Sequence, residues 1–200
     1  MLIISFYFFF MSENSSYSQI VSFIFEAGLL NRFKRSGFDF LGTGNQNISS
    51  HSFRTALISY ILAERLNADS GKAVLLSLFH DIPETRTGDI NYFQKKYVEK
   101  NEMKAVENIA GNIKELSSLP AFISEFNNGS SIEAEIARDA DVLELIFTLK
   151  EELDNGNKQA EIWAKDALKR LKLSESIEIA ETALSVKSYD WWMDILNVTR

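Results

Sequence analysis

The chain contains two histidines, and both stand in a setting that suits metal chemistry. One forms the dipeptide His80-Asp81, with Glu84 one helical turn later, and the other is His51, 29 residues upstream. Because the chain has no cysteine, a metal site in it must use imidazole and carboxylate ligands. These ligands together suit a borderline or hard divalent cation. A site built from a few of them leaves coordination positions open for water, as catalysis requires.

Each candidate taken alone has an ordinary structural explanation. A histidine at a helix start, such as His51, is more often a cap or a surface residue than a ligand. A lone aspartate within a helix, such as Asp141, is usually solvated or paired with a neighbouring arginine such as Arg138. Glu84 alone is most simply a surface carboxylate. Only the joint pattern indicates a functional site.

Helical periodicity surrounds the histidines. After His51, apolar residues recur at three- and four-residue intervals, and one of the two serines before it can act as the N-cap. The next helix is predicted to end near Pro83, which places the pair His80-Asp81 in its last turn or beside it. The residues predicted to be buried are Phe53, Ala56, Leu57, Tyr60 and Ile61 in the first of these helices and Val74, Leu75, Leu78 and Phe79 in the second.

The rest of the chain also predicts an all-α fold. Two prolines and nine glycines are too few for a sheet-rich protein with many tight turns. A long helix is predicted over Ile132–Leu153, in which Asp141 borders an apolar stripe and can point inward. Further helices are predicted over Ile20–Leu30, within Gln94–Leu116, over Gln159–Leu173 and from Ser176 through Trp192, with a long loop at Asn31–Ser50.

Length and composition indicate one domain of an acidic protein. Two hundred residues with 46% hydrophobic content are enough to bury one substantial core. The formal charge is −7 and the sequence pI is about 5.0, so the overall field repels a nucleic-acid backbone, and no nucleic-acid polymer is expected as a partner. The absence of cysteine agrees with a reducing compartment, and a cytoplasmic location is expected.

The N-terminal segment is expected to lie outside the folded domain. Residues 2–10 are apolar but fall far short of the roughly 20 residues that span a bilayer. They also lack the basic start and cleavage site of a secretory signal. The simplest interpretation makes Met11 the natural start, a weak membrane-surface anchor is the alternative, and no membrane partner is predicted. The expected organisation is an extension over residues 1–18, disordered or from a non-native start, and one domain over residues 19–200.

Taken together, the motifs resemble those of the HD-domain phosphohydrolase superfamily. The shared pattern is a histidine, a His-Asp pair 29 residues later and an aspartate after another 60, each on an amphipathic helix. The strings that resemble the 5′-deoxynucleotidase branch are Ser49-Ser50-His51-Ser52, His80-Asp81-Ile82-Pro83-Glu84, Thr87-Gly88-Asp89 and Asp139-Ala140-Asp141-Val142-Leu143. The similarity spans roughly residues 23–153. It implies a single all-helical HD-type domain with a divalent metal site between core helices.

The resemblance assigns a role to each matching residue. The positions that correspond to metal ligands are His51, His80, Asp81 and Asp141. Asp139 is the competing choice for the last ligand, but the Ala-Asp-x-Leu string places the family's ligand at Asp141. Glu84 matches the carboxylate that transfers protons, and Asp89 matches the position that contacts the sugar of the bound nucleotide.

The family also uses an arginine before the first histidine to orient the phosphate. The element Arg35-Ser36-Gly37 resembles the Arg-Thr-Gly of relatives, so Arg35 is the candidate, with Arg32 in reserve and a solvated basic loop as the alternative. This chain departs from the pattern at two positions. Ser50 replaces an acidic residue before the first metal histidine, which puts metal affinity or efficiency in doubt. Ser36 replaces the tryptophan of the bacterial nucleotidases, so base stacking is expected to differ.

The implied activity is metal-dependent hydrolysis of (deoxy)nucleoside 5′-monophosphates to nucleoside and phosphate. It implies one divalent ion (Mn, Co, Fe, Ni, Zn or Mg), a small nucleotide as substrate and a homodimer. Apolar residues around Trp191 offer a contact surface for the dimer, although burial of this segment within the monomer explains them equally well. One alternative is the same metal site acting on a cyclic nucleotide, an alarmone or a nucleoside triphosphate. The other is a non-catalytic, metal-stabilised sensor or scaffold.

Overall fold

The computed structural model of the chain describes residues 17–111 and 113–196, without the side chain of residue 194. The described residues form helices, with one isolated antiparallel bridge between Lys34 and Asn47 and no β-strand. The α-helices are α1 (17–27), α2 (Phe38–Leu41), α3 (Ile48–Leu66), α4 (Ser70–Phe79), α5 (Glu84–Thr87), α6 (Glu102–Ala110), α7 (Leu119–Asn128), α8 (Ile132–Asp154), α9 (Gln159–Leu168), α10 (Ser174–Ser185) and α11 (Asp190–Ile195). Short 3-10 helices occupy Gly28–Asn31, Gln94–Lys96 and Lys114–Leu116. The predicted all-α fold is confirmed.

The long helix α8 lies at the centre of the fold. It packs against α3, α4, α7, α9 and α10, and α3 also packs along α4. The side chains of Leu62, Ile136, Leu143 and Ile146 are buried where these helices meet. On the α3–α4 contact, the small side chains of Ser59 and Ser77 are buried and hydrogen-bonded to each other. Small residues let the two helices approach closely, and this approach brings the C-terminal end of α4 beside the first turns of α3.

Polar caps fix where the helices that carry the site begin. The side chain of Asn47 accepts a hydrogen bond from the backbone N–H of Ser50, so α3 starts at Ile48 and His51 lies one turn inside it. Asp69 caps α4 in the same way, through Lys72 N. The predicted serine cap of α3 was therefore wrong by two or three residues, because the side chain that accepts a hydrogen bond from a free N–H group of the first turn is that of Asn47.

The buried faces of α3 and α4 differ from the prediction. In α3, Phe53, Leu57, Tyr60 and Ile61 are 49–64% exposed, and in α4 Leu75 and Leu78 are exposed as well. The inward face of α3 instead carries His51, Ser52, Thr55, Ser59, Leu62 and Ala63. Helical periodicity shows that a helix has two faces but does not say which one meets the core, and here the mainly polar face packs inward. The apolar side chains of Val21, Ile24 and Phe25 in α1 are likewise exposed.

Other boundaries also shift. The predicted loop at 31–50 contains α2, and the last predicted helix is two helices, α10 and α11, separated by residues 186–189. α9 ends at Leu168, five residues before the predicted end. The break follows from Asp139 of α8, whose carboxylate accepts hydrogen bonds from the backbone N–H groups of Lys172 and Leu173 and so fixes the turn before α10.

The predicted N-terminal extension falls largely outside the described residues. Of residues 1–18, the structure describes only Tyr17 and Ser18, and both belong to α1. Within the described ranges, no helix combines the length and the apolar character needed to cross a bilayer.

Candidate metal centre

Two helices bring both histidines and an aspartate to one point. His51 projects from the start of α3, and His80 and Asp81 follow directly after α4. One ligand atom from each of the three lies within 4.8 Å of the others. His51 Nε2 is 3.3 Å from His80 Nε2, and Asp81 Oδ2 is 3.2 Å from His80 Nε2 and 3.6 Å from His51 Nε2. The three residues form a group that can hold a metal ion.

Helix α8 adds a second carboxylate to this group. Asp141 Oδ1 lies 3.1 Å from His51 Nε2 and 4.0 Å from His80 Nε2. Asp139, the competing candidate, is two residues away on α8, and its carboxylate is taken up by the backbone of Lys172 and Leu173. The geometry therefore places Asp141, and not Asp139, against the histidines.

Hydrogen bonds to the far side of each ring set the orientation of both histidines. His51 Nδ1 lies 2.6 Å from Glu144 Oε2, and His80 Nδ1 lies 2.6 Å from the carbonyl oxygen of Ser77. A carbonyl or a carboxylate only accepts hydrogen bonds, so Nδ1 of each ring carries the proton. In the neutral rings, both Nε2 lone pairs then face each other and the two aspartates. These lone pairs and carboxylates face one another with no proton shared between the two rings, and a bound cation satisfies them all.

Glu144 is the residue of this site that sequence reasoning missed. Its side chain is fully buried in α8, one helical turn beyond Asp141. Besides His51, it accepts hydrogen bonds from Gln46 Nε2 at 2.6 Å, Arg54 Nε at 2.8 Å and Thr148 Oγ1 at 3.0 Å. The available signal was a glutamate in the most apolar stretch of a core helix, three residues after a candidate ligand.

The electrostatics favour positive charge at the centre of the group. Burial disfavours the ionised forms of Asp81 and Asp141, but the adjacent histidines and Arg35 outweigh it and hold the pKa of both carboxyls well below the usual range. Burial alone would lower the pKa of His80, yet the Asp81 carboxylate raises it to about 9. A divalent cation satisfies the same carboxylates, so the donor set, its orientation and its charge all fit a metal ion.

Glu84 lies beside this group at the start of α5. Burial raises the pKa of Glu84 to about 8, the carboxylates of Asp81 and Asp89 add to the shift, and Lys100 offsets part of it. Lys100 Nζ donates to Glu84 Oε1 at 3.1 Å, while Oε2 is buried and has no hydrogen-bond partner among the described residues. A protonated carboxyl at this place has one oxygen free to meet a ligand.

Arg35, in the segment predicted to bind phosphate, lies beside the metal-binding group. Arg35 Nη1 is 3.6 Å from Asp81 Oδ2, and the surrounding carboxylates outweigh burial and raise the pKa of Arg35. Arg32, the reserve candidate, is exposed. Asp89 accepts a hydrogen bond from the backbone N–H of Ser36 at 2.6 Å, which ties its loop to the segment that carries Arg35.

A cleft of about 660 Å³ opens beside these side chains, and we refer to it as the active-site cleft. Charged and aromatic residues both line it. Its lining includes the charged residues Arg35, Asp81, Glu84, Asp89 and Asp141 and the aromatic residues Phe38, Phe40, Tyr92, Phe93 and Trp163. This volume is within the range of small-ligand sites in proteins.

Comparison with known proteins identifies the family. A family model described as HD domain matches residues 27–181, which is most of the chain. The chain belongs to the HD-domain family. The 5′-deoxynucleotidase YfbR of Salmonella typhi is 30% identical to it over 150 residues, which cover 67% of this chain and 74% of the relative.

Solved structures agree with this assignment. A conserved hypothetical protein from Pyrococcus furiosus has a TM-score of 0.72 and 28% sequence identity, and the match covers 83% of this HD-domain protein and 99% of that chain. The PH0347 protein from Pyrococcus horikoshii OT3 has a TM-score of 0.69 at 28% identity, covering 82% and 98% of the two chains. The predicted family and the helical fold with a His/Asp group between core helices are confirmed, and the protein is an HD-domain phosphohydrolase.

Proposed function

We propose that this HD-domain protein hydrolyses (deoxy)nucleoside 5′-monophosphates to nucleoside and phosphate. The observation that carries the proposal is that Asp81 of the metal-binding group and the side chains of Arg35 and Glu84 line one cleft of about 660 Å³. The similarity to a relative named as a 5′-deoxynucleotidase supports the same reaction and substrate class.

The site holds one divalent cation in this proposal, with His51, His80, Asp81 and Asp141 as its ligands. The imidazole and carboxylate set accepts Mn, Co, Fe, Ni, Zn or Mg. When bound, such an ion activates water as a nucleophile and stabilises negative charge on phosphate oxygens. Glu144 and the Ser77 carbonyl keep the two rings turned towards it.

The remaining residues act on the substrate itself. Arg35 presents a planar guanidinium with several N–H groups, which suits two oxygens of a phosphate. Because the pKa of Glu84 is raised by burial to about 8, its carboxyl keeps a proton at neutral pH and can donate it to the departing 5′ oxygen. Asp89 contacts the sugar, at a distance from Arg35 set by its bond to Ser36 N.

The protein forms a homodimer in this proposal. The outward face of α3 carries the exposed apolar side chains of Phe53, Leu57, Tyr60 and Ile61. Exposed apolar side chains grouped on one face are typical of a contact with another protein chain. Trp191, the other expected contact, is 69% exposed, so the described residues of the monomer do not bury it. Leu57→Glu should give a monomer by size-exclusion chromatography with light scattering. Ile162→Glu, on exposed α9 surface, should stay dimeric, and a monomeric parent would contradict the proposal.

The substrate class is tested by phosphate release from a panel of ribo- and deoxynucleoside 5′-monophosphates. Metal-stripped protein is resupplied separately with Mn, Co and Mg. We expect activity that depends on the metal and is lost in Asp81→Ala, with the Asp139→Ala variant as the matched control on the same metal. If folded parent protein releases no phosphate with any metal, cyclic nucleotides, alarmones and nucleoside triphosphates are the next substrates, and inactivity on all of them leaves the non-catalytic role. A cytoplasmic location accords with nucleotide substrates.

A further inference from the structure

The active-site cleft contains several aromatic rings, although position 36 does not supply one. Ser36 follows Arg35 directly, and its small side chain offers no surface on which a base can stack. The aromatic residues that line the cleft are Phe38, Phe40, Tyr92, Phe93 and Trp163. A base bound in the cleft must therefore meet one of these rings.

Most of these rings already have a partner. Phe40 and Phe93 face each other with centroids 5.9 Å apart, and Phe93 also contacts Tyr97 at 5.4 Å. Lys96 Nζ lies 5.6 Å above the ring of Tyr92. The Phe38 ring covers Gly44 so closely that no side chain fits there. Within residues 17–111 and 113–196, Trp163 is a cleft ring with neither an aromatic nor a cationic partner, and its contact with the Gly37 position is an ordinary one, unlike that of Phe38 with Gly44.

Trp163 also lies next to the segment that carries Arg35. It projects from α9 towards the segment that follows Arg35, and a β-carbon placed on Gly37 would lie 3.7 Å from its Cζ3. The indole packs against the buried cluster of Leu41, Leu149, Ala160 and Ala164, which restricts its orientation. The rest of the side chain, half-buried, lines the cleft. A rigid, preoriented ring suits stacking, since little side-chain freedom is lost when a base binds.

We infer that Trp163 is the residue on which the nucleotide base stacks. This inference rests on the proposed function. Stacking depends on the area of the base and not on its hydrogen-bonding edge, so Trp163 accepts every base and favours purines over pyrimidines. The ring recognises the base while Arg35, two residues before Gly37 in the sequence, and Glu84 act at the phosphate.

The decisive comparison uses two substrates that differ only in the base. Trp163→Leu should lower kcat/KM for deoxyadenosine 5′-monophosphate by at least about tenfold, mainly through KM, since stacking strengthens binding without taking part in the chemistry. Its kcat/KM for 2-deoxyribose 5-phosphate, which has no base, should stay that of the parent. Trp163→Phe keeps an aromatic face and should recover most of the nucleotide activity. Trp191→Leu, on α11 and outside the cleft, is the matched control.

An equal loss on both substrates would show that Trp163 only supports the fold, and an unchanged kcat/KM for the nucleotide would remove it from the site. Fluorescence separates this result from a failure of the proposed function. In the double variant Trp191→Phe, Trp192→Phe, Trp163 is the only tryptophan left of three. Deoxyadenosine 5′-monophosphate should quench it and 2-deoxyribose 5-phosphate should not, whether or not phosphate is released. Absence of quenching, or equal quenching by both compounds, overturns the inference.

Discussion

Replacing Glu144 with glutamine tests how the site orients His51. In the parent, His51 Nδ1 lies 2.6 Å from Glu144 Oε2. The substitution keeps the size of the side chain and an acceptor oxygen for His51 Nδ1 but removes the negative charge. The neutral amide is a weaker acceptor, so the imidazole becomes a poorer electron donor. Loss of such an outer partner lowers metal affinity by about 10- to 100-fold, or about 1.4–2.7 kcal/mol.

The same substitution has a second, pH-dependent effect on stability. Burial opposes ionisation of Glu144, but the hydrogen bond and charge of His51, together with Arg54, outweigh it and lower the pKa of Glu144 to about 2. A carboxyl with a lowered pKa in the folded state stabilises the fold above its unfolded value of 4.5, and this contribution is lost as the pH falls towards 2. The free energy of unfolding should therefore differ most between parent and Glu144→Gln near neutral pH, and the difference should shrink below about pH 4.

The assay is a titration of metal-stripped protein with Co or Mn in competition with a chelator of known affinity. Glu151→Gln is the matched control, because Glu151 also pairs with Arg54, at 2.6 Å, yet does not touch His51. We expect the control to bind metal as the parent does and Glu144→Gln to bind it at least about tenfold more weakly. If Glu144→Gln and the parent share one affinity while both are folded, Glu144 does not tune the ligand and the reasoning fails.

Three further substitutions separate the roles of the neighbouring residues. Glu84→Gln should bind metal normally and lose most of its turnover. Because burial raises the pKa of Glu84 to about 8, the free energy of unfolding of the metal-free parent should fall as the pH rises from 4.5 to about 8, and thermal melts of Glu84→Gln should lack this slope. Arg35→Ala should raise KM and reduce kcat/KM by about 10- to 100-fold in phosphate-release kinetics, while Arg32→Ala should match the parent, and equal effects would refute the assignment. Asp139→Ala should lower the free energy of unfolding by about 1–3 kcal/mol in denaturant unfolding, since the backbone N–H groups that donate to Asp139 lose their partner. A weakened metal site in this variant would contradict the assignment of Asp141.

Local features of the sequence predicted the family and the type of fold. The spacing of His51, the pair His80-Asp81 and Asp141 was readable because His51 and Asp141 lie on helices with a regular apolar pattern and the pair directly follows one. The HD-domain family and the all-helical fold are confirmed, while the roles of individual site residues stay predictions. The boundaries of α3 and α9 were wrong by a few residues, because capping by Asn47 and the bond from Asp139 to the α10 turn are made by single side chains.

The inward faces of α1, α3 and α4 could not be predicted in the same way. Apolar residues were assumed to be buried, but much of a folded protein's surface is apolar, so an apolar stripe does not by itself identify the core side. In α3 the stripe that begins at Phe53 faces out. The face of His51 is turned inward, where the ring contacts Asp141 and Glu144 of α8.

The sequence by itself determined which residue types are present and how far apart they lie, and these limited the chemistry to an imidazole and carboxylate site on helices. Only the tertiary structure decided that Glu144 orients His51, that Asp139 turns away from the group and that Trp163 reaches the cleft. Each of these outcomes depends on the angle at which α8 or α9 packs against its neighbours. That angle is set by the fit of many side chains at once, which no local stretch of sequence contains.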